Sequence, residues 1–250
     1  MKAFEDSKYS RLLTAAGEAH AACDRFVGGW QNTYTAVGGE IFCHSGCANC
    51  CTLAVNCTFG EALVIAEASP ATVFERLGPH VQTLSSLAQA APTLPAWLRT
   101  HRAESGGCPF LSADGTCAIY ALRPLTCRAL LATREPRWCA ADFSALSSDE
   151  KQAFMASLDR SVVAFPMHYV AATREYAEMQ ERELLCAMAD QYGFALYGSL
   201  PVLVWLARER QLGSTLSAGL DATRRLLADC GLGSPFLATM VEGSEIVGEP

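Results

Sequence analysis

Nine of the twelve cysteines in this chain fall between residues 43 and 139, and five of those lie within fifteen residues. The densest stretch reads Cys43-His-Ser-Gly-Cys47-Ala-Asn-Cys50-Cys51, with Cys57 just beyond. Cys108-Pro-Phe-Leu, Cys117-Ala-Ile-Tyr, Arg-Pro-Leu-Thr-Cys127-Arg and Trp-Cys139 follow. Thiols this dense are either tied off as disulfides or gathered on metal, and the choice governs what the rest of the chain must build around them. Residues 1–25 carry Lys2, Glu5, Asp6, Lys8, Arg11, Glu18, Asp24 and Arg25, with no uninterrupted apolar core of a signal peptide. A cytoplasmic location is therefore expected. There the reducing poise favours metal or redox chemistry over structural bridges. A chain of 250 residues also buries a substantial core without staples.

Half the residues are hydrophobic and 18% are charged, which predicts a compact globular fold of one domain or two closely packed ones. The net charge of −7 makes a nucleic-acid partner unexpected. Between residues 99 and 137 the balance reverses locally, where Arg99, Arg102, Arg123, Arg128, Arg134 and Arg137 face only Glu104, Asp114 and Glu135. Favourable electrostatics for an anionic thiolate cluster explains that patch more simply than an anionic substrate docking over the metal. The most apolar stretch, Phe194 to Ala207, contains Gly198 and Pro201 and is too short to span a bilayer. It reads as core, and no membrane partner is expected.

Helical periodicity predicts a helix over 5–29, interrupted by Gly28-Gly29, one opening at Glu61 and closed by Pro70, and another over 71–90. Pro92 and Pro95 introduce a short one. Ser147 with Glu150 is a capping box for 148–162, and Pro166 opens a helix to about 190, closed near Gly193. Helices at 199–210 and 214–230 follow, with Gly231 as the stop. Cys-Pro-Phe-Leu and Thr-Cys-Ala-Ile-Tyr flank Ser-Ala-Asp114-Gly115, a hairpin turn signal. The expected architecture is mainly α, a helical scaffold around a cysteine-rich loop and a small β-hairpin that together form a metal knot. Its parts are an N-terminal helix (1–40), a cysteine-cluster metal-binding region (41–140) and a helical C-terminal region (141–250), packed as one unit.

Seven cysteines are the candidate ligands: Cys43, Cys47, Cys50, Cys51, Cys108, Cys117 and Cys127. Metal takes thiolates, and short spacings let one loop present several to a single centre. Cys47-x-x-Cys50 alone is modest support; followed by three more cysteines in turn contexts it is strong. Adjacent side chains such as Cys50 and Cys51 diverge, so both serve one compact ion only with strain. Zinc takes four ligands and a cubane cluster takes four cysteines, so some thiols are left over. The nearly all-thiol donor set favours an iron–sulfur cluster over zinc. An ideal two-residue turn pairs residue 117 with Ser112 and leaves Cys108 roughly 13 Å further along the ribbon. Either Pro109 bends the strand or Cys108 and Cys117 serve different centres. Cys23, Cys186 and Cys230 read as core. Cys57 and Cys139 lean to structural roles, His44 faces solvent, and His80, His101 and His168 show no ligand spacing.

The chain resembles the YkgJ-like cysteine-cluster family, zinc- or iron-chelating domains with a CxxCxxCC signature. The resemblance rests on Cys47-x-x-Cys50-Cys51, Glu61-Ala-Leu-Val-Ile-Ala, Cys108-Pro-Phe-Leu, Gly115-Thr-Cys117-Ala-Ile-Tyr120 and Arg123-Pro-Leu-Thr-Cys127-Arg128, and covers about residues 43–130. It implies metal binding without a defined reaction. The gap Cys43-x-x-x-Cys47 is one residue longer than the family pattern, so Cys43 is the least secure ligand. The related flagellin lysine N-methylases share a similar cluster, which implies a second reading: S-adenosylmethionine-dependent modification of a protein or peptide. Cys43-x-x-x-Cys47-x-x-Cys50 also spells the radical S-adenosylmethionine spacing, although a mainly helical chain lacks that fold's strand–helix repeats. A third reading is metal storage, delivery or sensing.

Overall fold

The structure is a computed structural model that describes residues 7–209 and 212–246. Helix α1 (Ser7–Ala36) places Leu12, Ala16, Ala19 and Cys23 on one buried stripe, at the three- and four-residue intervals of an amphipathic helix. Residues 5 and 6 of the expected helix lie outside the described residues. The expected interruption at Gly28-Gly29 does not occur. A mid-helix glycine costs only about 1 kcal/mol, and packing outweighs it here: Phe26 stacks on Tyr176 with ring centroids 4.1 Å apart. The stop comes at Gly38, whose φ of 89° lies in the left-handed region that a residue without Cβ enters freely.

Strand β1 (Asn56–Thr58) runs directly into α2 (Phe59–Ala68), which begins on a Thr58–Glu61 capping box. The stretch expected as one helix over 71–90 divides into a 3-10 turn at Ala71–Phe74 and α3 (Leu77–Ala90). Helix α4 (Leu94–Glu104) is capped by Thr93. The short helices α5 (Leu125–Ala129) and α6 (Arg137–Ala140) follow. In α7 (Ser148–Ala156) the Ser147–Glu150 capping box forms as expected, but the helix is shorter than the expected 148–162. Helix α8 (Ala171–Tyr192) starts five residues after Pro166, because the intervening backbone is spent on extended bridges, Ala132 to Tyr169 and Val163 to Val170. Gly193 ends it with φ 83°, as its position predicts.

The main departure from expectation is β2 (Phe194–Ser199), nearly all of it buried. Its continuous apolar run lacks the period-two alternation that marks a one-sided strand. It leads into α9 (Leu200–Glu209), which packs on α2, and then come α10 (Leu212–Ser217), α11 (Leu220–Asp229), β3 (Ala238–Glu242) and α12 (Gly243–Ile246). The three strands form an antiparallel sheet in the order β1-β2-β3. A Cβ at Gly198 would stand 2.3 Å from the Leu237 carbonyl oxygen, so only glycine fits that strand. The largest core cluster gathers Phe59, Leu63, Leu84, Phe194, Leu196 and Leu203 from α2, α3, β2 and α9. A smaller one joins α1, α5 and α8. The fold is mainly α, as expected. Among the described residues no helix is long and apolar enough to cross a membrane.

Candidate metal centre

Four chain segments converge to place the thiols. Residues 42–43 lie beside 130–132: the Phe42 N–H donates to the Ala132 carbonyl at 3.0 Å, and the Ala132 N–H donates to Cys43 Sγ at 3.1 Å. Gly46, at φ 87°, reverses the chain before Cys47. Asn49–Thr52 then forms a single 3-10 turn carrying Cys50 and Cys51. The Cys108 N–H donates to the Cys51 carbonyl at 2.8 Å and ties the third segment to that turn. Cys127 arrives on α5, and Cys139 on α6.

The expected hairpin is present with a different register. Leu111, not Ser112, stands opposite Cys117, and the Ser112 N–H donates to the Thr116 carbonyl across a three-residue loop. Gly115, at φ 81°, takes the left-handed position of that loop. The pairing is one bridge and not a ladder, because a turn closed by Leu111 N–H on the Cys108 carbonyl folds the incoming strand back. That bend takes the strand off the straight ribbon along which Cys108 would lie roughly 13 Å away. Cys108 and Cys117 are near enough to feel each other's charge.

Indeed Cys50, Cys108, Cys117 and Cys127 are all within such reach of one another, pair by pair. Cys43 and Cys50 pack in one cluster with Cys139, and Cys47 lies within electrostatic reach of Cys43 and Cys139. Cys51 hydrogen-bonds to Cys50. Cys57, fully buried on β1, adjoins Cys127. His44 is exposed, as expected. Cys23 is core as expected, whereas Cys186 and Cys230 are only partly buried. Sequence reasoning gave His168 no part in the site, yet its Nε2 is 3.3 Å from Cys139 Sγ. They stand 29 positions apart and form no motif, so no signal in the sequence points to the pair.

Burial dominates the electrostatics. It pushes Cys43 up to about 11 and Cys108 up to about 12, and carries Cys127 well above the ordinary thiol range. The neighbouring Cys51 thiol, then burial, raises Cys50. Such thiols are poor free nucleophiles; they ionise on gaining a cation, with proton release. The arginines temper this. Arg123, stacked 3.6 Å over the Tyr120 ring, favours ionisation of Cys50, Cys117 and Cys127. Arg102 donates to the Ala141 and Cys139 carbonyls, and Arg128 donates to the Arg123 and Ala121 carbonyls and pairs with the Asp24 carboxylate.

The donor set suits a thiophilic metal: all twelve cysteines stand as free thiols, and seven or more of them meet in one region. Among the described residues no three His, Cys, Asp or Glu side chains converge on a single ion position.

Two carboxylates within electrostatic reach of each other, Glu61 fully buried and Glu181 half-buried, were not revealed by the sequence. Glu61, fully buried, accepts from the backbone N–H of Thr58 and of Leu125. Glu181 on α8 accepts from Thr126 Oγ1 at 2.7 Å and lines a cavity of about 270 Å³ with Tyr197 and Arg182. Burial first, and the Glu61 carboxylate second, push the Glu181 carboxyl from 4.5 up to about 8. Between those values the folded protein holds a proton that the unfolded chain has lost, so stability falls as pH rises through that window. Glu181→Gln is expected to flatten this slope and to melt at a higher temperature than the wild type near pH 9. Thermal melts across the range would show it, and parallel curves would mean that Glu181 ionises normally.

A helical scaffold thus gathers free thiols from separate segments into one region, a donor set suited to a thiophilic metal. Residues 42–144 match the model of the CxxCxxCC family, described as a "Putative zinc- or iron-chelating domain". No curated protein and no solved structure matches the chain.

Proposed function

We propose that this is a cytoplasmic protein that coordinates an iron–sulfur cluster or zinc through Cys43, Cys47, Cys50, Cys51, Cys108, Cys117 and Cys127. The supporting observation is the four-thiol group of Cys50, Cys108, Cys117 and Cys127, drawn from three segments into mutual reach. Four thiolates are the full complement of a structural zinc ion or of a cubane cluster. An all-sulfur group favours the cluster. The test is anaerobic purification with iron, sulfide and zinc analysis. A broad absorbance at about 400 nm with matching iron and sulfide is the expected result. Colourless protein with stoichiometric zinc would replace the cluster by zinc, and metal-free protein that takes up neither would overturn the reading.

A methylase-like role toward a protein or peptide has one observation in its favour: Cys43 adjoins both Cys47 and Cys50, the three thiols of the radical S-adenosylmethionine spacing. Against it, the sheet among the described residues has three antiparallel strands and not strand–helix repeats. Calorimetry of S-adenosylmethionine against the reconstituted cluster form separates the two. Metal exchange with a chelator without unfolding would instead favour storage, delivery or sensing.

A further inference from the structure

We propose that Cys43, Cys47, Cys139 and His168 form a second metal centre, of three thiolates and one imidazole, beside the four-thiol group. The inference rests on the metal-binding reading above, adds Cys139 and His168 to its donors, and assigns Cys43 and Cys47 to a separate ion. Cys139 packs with Tyr169, Ala132, Cys43 and Cys50 in one small cluster. Cys47 lies within electrostatic reach of both Cys43 and Cys139. A tetrahedral zinc with its usual bond lengths holds a sulfur and a nitrogen ligand about 3.5 Å apart. Cys139 Sγ and His168 Nε2, at 3.3 Å, already span such an edge.

The surroundings suit thiolates as well. Cys43 Sγ accepts from the Ala132 N–H, Cys47 Sγ from Asn49 Nδ2 at 3.7 Å, and Cys139 from the Tyr169 hydroxyl. Outer donors of this kind orient and stabilise metal-bound sulfur. His168 is buried and held on both sides: its carbonyl accepts from the Thr133 N–H and hydroxyl, and its ring packs on Phe154 and Tyr169. Three thiolates on a divalent ion leave one net negative charge. Arg134, beside His168, carries a buried Nε with no hydrogen-bond partner among the described residues and supplies the opposite charge.

Ligand counting divides the donors the same way. Cys50 adjoins both groups, but moving it to the second would leave the first with three thiols. Mixed nitrogen and sulfur donors select zinc. Because no three donors yet meet at one point, binding must draw Cys43 and Cys47 onto the Cys139–His168 edge.

Zinc titration of the full chain, with metal analysis and zinc-edge X-ray absorption, tests this. The wild type is expected to take up one zinc beyond the four-thiol complement, with imidazole scattering beside sulfur. His168→Gln and Cys139→Ser should each lose that zinc and keep the metal that Cys127→Ser removes. An all-sulfur zinc shell in the wild type, no uptake beyond the four-thiol complement, or full uptake in both variants would overturn the second centre while leaving the first intact. Wild-type protein that binds no metal would overturn both. Should the variants fail to fold, the wild-type absorption spectrum still decides.

Discussion

Cys127→Ser is expected to strip the four-thiol centre of its metal. Even outer partners of a metal ligand change affinity by about 10–100-fold when removed, so loss of one thiolate of four should exceed about 100-fold. Structural zinc contributes about 10–16 kcal/mol to small domains, and the metal-loaded fold should lose thermal stability with its ligand. Dialysis against a chelator, followed by metal analysis and a melt, reads both effects. Cys57→Ala is the control: Cys57 is fully buried where Cys127 is half-buried, and it lies within electrostatic reach of Cys127, but it belongs to the β1 packing and should keep the metal. Full retention by Cys127→Ser would remove Cys127 from the ligand set, and equal loss in both variants would mean that packing, not ligation, holds the metal.

Glu61→Ala should be the most damaging change away from the thiols. The Glu61 carboxylate is fully buried and accepts from Thr58 N and Oγ1, both at 2.9 Å, and from Leu125 N at 2.7 Å. His20 Nε2 on α1 lies 3.3 Å away. One side chain thus caps α2, secures the start of α5 and meets α1. Truncation strands buried donors that each cost about 1–3 kcal/mol, for a total loss of at least about 3 kcal/mol. Because α5 carries Cys127, metal retention should weaken too. Glu61→Gln keeps one acceptor oxygen and should lose less. Denaturant melts of the three proteins would check the order, and a loss under about 1 kcal/mol for the alanine variant would show that the network is slack.

The metal chemistry was legible because ligand spacing and turn residues are local properties. Cys47-x-x-Cys50, Asp114-Gly115 and Arg123-Pro124 announce themselves within a few residues. So do the capping box at Ser147 and the stop at Gly193. Gly28-Gly29 misled, because propensity counts the cost of glycine in a helix but not the ring stack of Phe26 on Tyr176 that offsets it. Strand β2 stayed hidden because both its faces are buried, which erases the alternation that would betray it.

By itself the sequence determined a mainly helical, thiol-rich chain whose cysteines between 43 and 139 are suited to metal. Tertiary structure alone decided which thiols are neighbours. The backward turn at Cys108–Leu111 brings Cys108 to Cys117, and the bridge between Ala132 and Tyr169 aligns the segments around Cys43, Cys139 and His168. Glu61 acquires its role the same way, through partners 41 and 64 residues distant. Spacing reports on what one loop can present, whereas a coordination sphere or a buried carboxylate is assembled by contacts between segments, and those depend on how the whole core packs.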